Sequence, residues 1–286
     1  MMSKRLRWTL PSAAAVGLIA WACGETTDAQ VIYEFSAEDF DDPTTIDNAW
    51  WPHPPGTQFV YEGITVDEGE ELEHTILLTI TDLTKEIGGV NAVVIYERDI
   101  SEGEVVEAEL AFRAQDNDGN VWHLGEYSET WEEGELVGGK TWLVGHLDGA
   151  RAGVMMQADP QPGTPAFSEG FAPPPVSWTD MGRIREVGQS DAVEYGTFDD
   201  VVVLEEFNEE EPGAFQLKSY ARGTGLIRVS WRGDDANQEE LELVDVIELD
   251  AEALAEERAA ALELENRAYV YGQTPPAQQR TDVGGS

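Results

Sequence analysis

Residues 92–114, AVVIYERDISEGEVVEAELAFRA, decide the fold class of this chain. Ala92 to Arg98 and Val105 to Ala114 are rich in β-branched, aromatic and small apolar residues. Between them stands the acid and glycine turn Glu102-Gly103-Glu104. Two such runs joined by a short turn read as neighbouring antiparallel strands. Working outward, the same alternation recurs at Gln58 to Val66, Thr75 to Thr81 and Asn120 to Tyr127, divided by the turns Asp67 to Glu71, Gly88-Gly89 and Asp116 to Gly119. A second series follows at Gly182 to Glu186, Val201 to Phe207, Phe215 to Tyr220, Leu226 to Trp231 and Leu241 to Leu249. Short turns make neighbours in sequence neighbours in a sheet. The expectation is a mainly β protein, two antiparallel meanders forming one curved sheet or an incomplete barrel, with a helix at the C-terminal end.

The stretch from Trp142 to Pro175 lacks this period and is rich in Gly, Pro and Ala. It reads as a crossover between the two meanders, with a functional lid as the alternative. Asp250 caps a run, Ala251 to Arg267, of strong helix formers. Pro275-Pro276 and the polar residues around them predict a disordered tail. The expected layout is a signal peptide over 1–22, a flexible tether over 23–43, the β domain over 44–249, a helix over 250–270 and the tail over 271–286.

Lys4, Arg5 and Arg7 precede an uncharged run, Trp8 to Ala22, and then Cys23. This is the pattern of an export signal. Ala20-Trp21-Ala22 fits ordinary signal cleavage, whereas a cysteine directly after a small residue resembles a lipoprotein lipobox. The apolar run is short of the ~20 residues that a membrane span needs. Cys23 is the only cysteine of the 286 residues, so no disulfide within the chain explains it, and lipid attachment is the favoured role. The expected location is an outer-membrane, periplasmic or cell-surface lipoprotein, otherwise a secreted protein. Its membrane partner would be reached through the N-terminal lipid.

The chain holds 57 acidic and 17 basic residues, a net charge of -40. Nucleic acid and anionic membrane surfaces would be repelled by it. Such acidity fits a high-salt habitat, divalent cation binding or simply a solvated surface.

Five ordered segments carry a resemblance: Ile46-Asp47-Asn48 through Trp51-Pro52 to Pro55-Gly56-Thr57-Gln58-Phe59-Val60-Tyr61-Glu62-Gly63; Ala114 to Trp122; Asp148-Gly149-Ala150 with Gly153 to Pro160; Tyr195 to Val201; and Tyr220 to Leu226. In this order they resemble a family of uncharacterised exported bacterial proteins and lipoproteins. The resemblance spans roughly residues 44 to 248, which implies a single domain there, and it implies no activity. In that family the positions of His53, His123 and His146 usually hold apolar or aromatic residues, which argues against a shared imidazole mechanism.

The candidate sites are correspondingly few. The spacing of His53, His74, His123 and His146 fits no HxH or HExxH arrangement. Asp116, Asp118 and Asn120 could present alternate oxygens to calcium, but Gly119 and Tyr127 fall where an EF-hand needs other residues, and a hairpin turn explains the segment. No cofactor is predicted beyond that calcium option. Aromatic faces at Trp50 and Trp51, with Asp148, Arg151, Met155 and Met156 of the crossing segment, are the candidate walls of a ligand site on the concave face. There Arg151 would orient an anionic group. The favoured function is a non-enzymatic envelope protein that binds a small apolar or sugar ligand or a partner. The alternative is a secreted polysaccharide lyase or hydrolase with a tyrosine, carboxylate or histidine as acid or base.

Overall fold

A computed structural model describes residues 30–67, 69–146, 149–268 and 274–280. The expected signal, Cys23 and Asp148 lie outside them. The first meander runs through β1 (Thr57–Asp67), β2 (Glu70–Ile87), β3 (Val90–Ser101), β4 (Glu104–Gln115) and β5 (Val121–Glu132), each antiparallel to the next. β6 (Glu135–Leu143) folds back on β5. The crossing segment holds β7 (Arg151–Met156), β8 (Phe167–Ser168) and β9 (Gly170–Phe171). The second meander is β10 (Met181–Val193), β11 (Gly196–Phe207), β12 (Ala214–Ala221), β13 (Gly225–Gly233) and β14 (Glu240–Glu248). β14 then pairs antiparallel with β1, from Thr57 opposite Glu248 to Ile64 opposite Glu240, so the two meanders are one sheet. The mainly β antiparallel fold read from the sequence is the fold observed.

The sheet is not closed into a barrel by a ladder of strands, but the crossing segment brings its two ends together. β8 pairs with β10 at one end, while β9 pairs with β7, which itself pairs with β5, at the other. Glu169 alone separates β8 from β9. Gly153 of β7 lies so close to the backbone of 168–170 that a Cβ there would collide with it. The crossover is therefore a clasp between sheet ends as well as a connection. Sequence gave no hint of this, because the strands are two residues long.

Side chains alternate between the two faces of a strand. The outer face of β2 to β5 is covered by α1 (Ala251–Ala268), which Asp250 caps by accepting from the Glu252 and Ala253 amides at 3.0 and 2.9 Å. A narrow apolar edge, with Ala261, Leu264 and Ala268 buried in the core, docks this helix together with charge: Arg258 meets Asp82 at 2.7 Å, Arg98 meets Glu257 at 2.6 Å, and Arg267 meets Glu129 at 2.7 Å. Beneath these pairs Lys85 and Glu265 are buried together at 2.8 Å. The apolar core, with Ile80, Leu83, Val93, Leu110, Leu124, Phe167, Leu204 and Ile227, fills the rest.

Two flanking segments depart from expectation. Within the expected tether, Tyr33, Phe35 and Phe40 set their rings edge-on or tilted around Trp122 and one another, and the Val31 amide donates to Ala166 at 2.7 Å. Three aromatic rings within eight residues have enough apolar area to dock despite the surrounding acids. Within the expected disordered tail, Gln278–Gln279 form β15 on β2, and the Ala277 amide donates to Glu265 at 2.8 Å. The tail completes the hydrogen bonding of a buried carboxylate, which a compositional reading does not detect.

Candidate functional site

The concave face of the sheet encloses a cavity of about 280 Å³. β3 contributes Glu97 and Asp99, β4 contributes Glu109 and Arg113, and β5 contributes His123 and Glu126. The clasp supplies Glu169, and the strand opposite supplies Glu206 and Lys218 of β11 and β12. Trp51, Tyr61, Trp178 and Tyr220 add aromatic walls. On the walls these polar side chains are in phase: Glu97 and Asp99 point inward, while Arg98 between them points to α1.

Eight carboxyl groups and two permanent cations line this space. Lys218 is paired with Glu206 at 2.6 Å. Burial, and then repulsion from Glu206, drives the Glu169 carboxyl well above its ordinary range, with Lys218 opposing. Burial likewise raises Glu97, Asp99 and Glu109, the last two helped by neighbouring carboxylates. Glu126 is pushed up by burial to about 8 although Arg113 opposes the shift, and Asp180 by burial and Glu206 to about 6. Glu169 is 1% exposed and its Oε1 has no hydrogen-bond partner; Arg113 is 8% exposed and its Nε and Nη1 have none. Unmatched buried groups on the wall of a cavity are costly to the fold by themselves. They can bind what the cavity admits.

The histidines do not converge. His53 is buried against the Trp51 carbonyl at 2.8 Å, and burial lowers its pKa to about 3. His123 is lowered well below its ordinary value by burial and by Arg113, and stands 3.6 Å from Glu126. His74 lies 3.2 Å from Glu239, and His146 sits in a separate small groove with Phe112 and Glu265. Among the described residues, no group of three or more His, Cys, Asp or Glu is arranged to hold a metal ion.

The residues singled out from the sequence are divided by the fold. Trp51 and Met155 line the cavity. Trp50 is buried beneath the Arg222 guanidinium, 4.2 Å from its ring, and Met156 is in the apolar core. Arg151 is exposed and lies over Phe171 at 4.2 Å. Asp116 engages both carboxylate oxygens inside its own hairpin: Oδ1 accepts from the Asn120 amide at 2.8 Å, and Oδ2 accepts from Asn120 Nδ2 at 2.8 Å and Trp122 Nε1 at 2.7 Å. Asn120 Oδ1 accepts from the Ala158 amide at 3.0 Å, and Asp118 is exposed. Missed entirely were Arg113 and the inward carboxyls. The available signal was charge recurring at alternate positions within strands, Glu97 and Asp99 or Glu109 and Arg113, where a buried face expects apolar residues.

No protein-family model and no curated protein matches the chain, so the family resemblance rests on the five ordered segments. Two solved structures are similar to it. One, from Bacteroides fragilis, is described as an exported protein with a YmcC-like fold; it shares 10% identity over 70% of this chain and 99% of its own, at a TM-score of 0.41. The other, from Parabacteroides distasonis, is described as a lipoprotein, with 10% identity over 70% of this chain and all of its own, at a TM-score of 0.36.

Proposed function

We propose that this is an exported, lipid-anchored envelope protein whose β domain binds a small polar ligand in the interior cavity. Export and anchoring rest on the basic, apolar and cysteine order of the first 23 residues. Binding rests on one observation: residues of the cavity wall carry a buried carboxylate oxygen, on Glu169, and two buried guanidinium nitrogens, on Arg113, without hydrogen-bond partners. The polar lining favours a ligand with charge or hydrogen-bonding groups over an acyl chain.

Native mass spectrometry of the protein released gently at high salt tests this. A reproducible small-molecule adduct is expected, lost when Ala111, on the cavity wall, is replaced by Trp while the circular dichroism spectrum is kept. A bare protein, or an adduct indifferent to that replacement, would overturn the binding reading. Metabolic labelling with a fatty-acid analogue tests the anchor; label that persists in Cys23→Ser would sink it.

A further inference from the structure

The balance of charge in the cavity selects its ligand, granted the binding reading above. Eight carboxyl groups face two cations, and one of these, Lys218, is already matched by Glu206 at 2.6 Å. An anion entering this space could reach the free N–H groups of Arg113, but it would do so among carboxyls on several walls, and every carboxylate formed would repel it. A cation is attracted by each carboxyl that ionises, and Glu169, on the cavity wall, has no hydrogen-bond partner at Oε1. The rings of Trp51, Tyr61, Trp178 and Tyr220 stand in the same walls, and a ring face attracts a cation. A bare metal ion needs several oxygens converging on one point. Here the carboxyls are spread over β3, β4, β5, β11 and the clasp, so the arrangement suits a charge carried on an organic body. At about 280 Å³ the space lies at the lower end of the ~300–1,000 Å³ usual for small-molecule sites.

We infer that the cavity takes a small organic cation, an ammonium or guanidinium group on a compact apolar or aromatic body, with Glu169 as its carboxylate anchor. Around Glu169 stand Asp180, Glu206, Lys218 and Arg113. The further walls present Glu97, Asp99, Glu109, Glu126, Glu239 and His123 with the Tyr61 and Tyr220 rings, and His74 stands 3.2 Å from Glu239. Because burial, with repulsion from neighbouring carboxylates, holds Glu97, Asp99, Glu109, Glu126, Glu169 and Asp180 protonated above their usual range, a bound cation displaces protons from them. Affinity for it therefore rises with pH as these groups ionise, Asp180 at about 6 and Glu126 at about 8 among them.

Isothermal titration with benzylamine, benzyl alcohol and benzoate, three probes of one size and different charge, tests this at high salt, which screens the acidic surface. Benzylamine is expected to bind, about tenfold more tightly at about pH 8 than at about pH 6. Glu169→Gln should weaken it about tenfold, a loss of about 1.4 kcal/mol, with the melting temperature kept. Benzoate binding in preference, with loss in Arg113→Gln, would overturn the cation assignment and leave the binding cavity standing. A neutral adduct in native mass spectrometry without benzylamine binding would do the same. Benzylamine binding unchanged by Glu169→Gln would place the cation on the outer surface and overturn the inference. A protein that binds no probe and carries no adduct would remove both readings.

Discussion

Glu205 and Glu169 are almost equally buried, at 0% and 1% exposure, and the protein treats them in opposite ways. Glu205 faces outward from β11, where Arg183, Arg185 at 2.8 Å and Arg232 at 2.5 Å surround it. Burial by itself would raise it, but the hydrogen bonds from Arg232 and Arg183 overcome that and hold it at about 2. Glu169 faces inward, where burial and the carboxyls of Glu206 and Asp180 outweigh the cations Lys218 and Arg113 and one oxygen has no partner, and it is held well above its ordinary range. Being out of water does not decide whether a carboxylate is charged; its partners do. The outer face uses its carboxylates to hold strands and helix together. The inner face pairs Glu206 with Lys218 and sets its other carboxyls among one another with Arg113 as the one further permanent cation.

Several experiments would break or sharpen this contrast. The largest effect is expected from Glu205→Gln, which leaves three arginines facing one another. Removing one partner of a fully buried pair costs about 3–5 kcal/mol, and the partial exposure of these arginines reduces that to about 2 kcal/mol. Urea denaturation in moderate salt reads it, and a change under about 0.5 kcal/mol would show that the cluster contributes no stability.

Next is the pH dependence of the whole fold. Glu126 and Glu107, raised from 4.5 to about 8 and about 7, and Asp180, raised from 3.8 to about 6, bind protons more tightly folded than unfolded. Their contribution is complete below about pH 4 and is lost as pH rises through about 6 to about 8. Glu205 has the opposite sign: its contribution is present above about pH 4.5 and disappears as pH falls towards about 2. The melting temperature should therefore peak near about pH 5 and drop by several degrees by about pH 8.5. A curve that is flat or rising over that interval would mean that the cavity carboxyls are paired after all.

Smaller effects test individual walls. A Cβ at Gly182 would run into Glu169 Oε1 and the Phe167 ring, so Gly182→Ala should cost about 1 kcal/mol by crowding. Unchanged stability would mean that the Glu169 side chain moves aside freely. Glu126→Gln removes a group that charges at the cost of burial; it should be neutral at about pH 5 and stabilising by at least about 1 kcal/mol at about pH 8.5. Destabilisation at the higher pH would identify Glu126 as a partner of Arg113 instead.

Much of the architecture was legible because strands of 8 to 18 residues repeat their pattern often enough to be read. The hairpin at 116–120 was legible too: Gly119 takes φ +89° and Asp116 accepts the hydrogen bonds that its position in the turn predicts. The cavity was not. Arg151 stood out as a cation in an acidic chain, yet it lies outside over Phe171, whereas Arg113, hidden within an ordinary strand pattern, is the buried one. Strand alternation separates two faces without saying which is concave, and both faces of this sheet are covered at β3, where Val93, Val94 and Ile95 are all buried.

The sequence alone determined the strands, their turns, the order of neighbours, the capped helix and the excess of acid, since each follows from residues close together in the chain. The tertiary structure decided the rest: the pairing of β14 with β1, the clasp at Glu169, the docking of the tail, and which carboxyls face arginine and which face one another. These depend on contacts between residues far apart in sequence, and the charge of a buried group is set by such contacts rather than by its own chemistry.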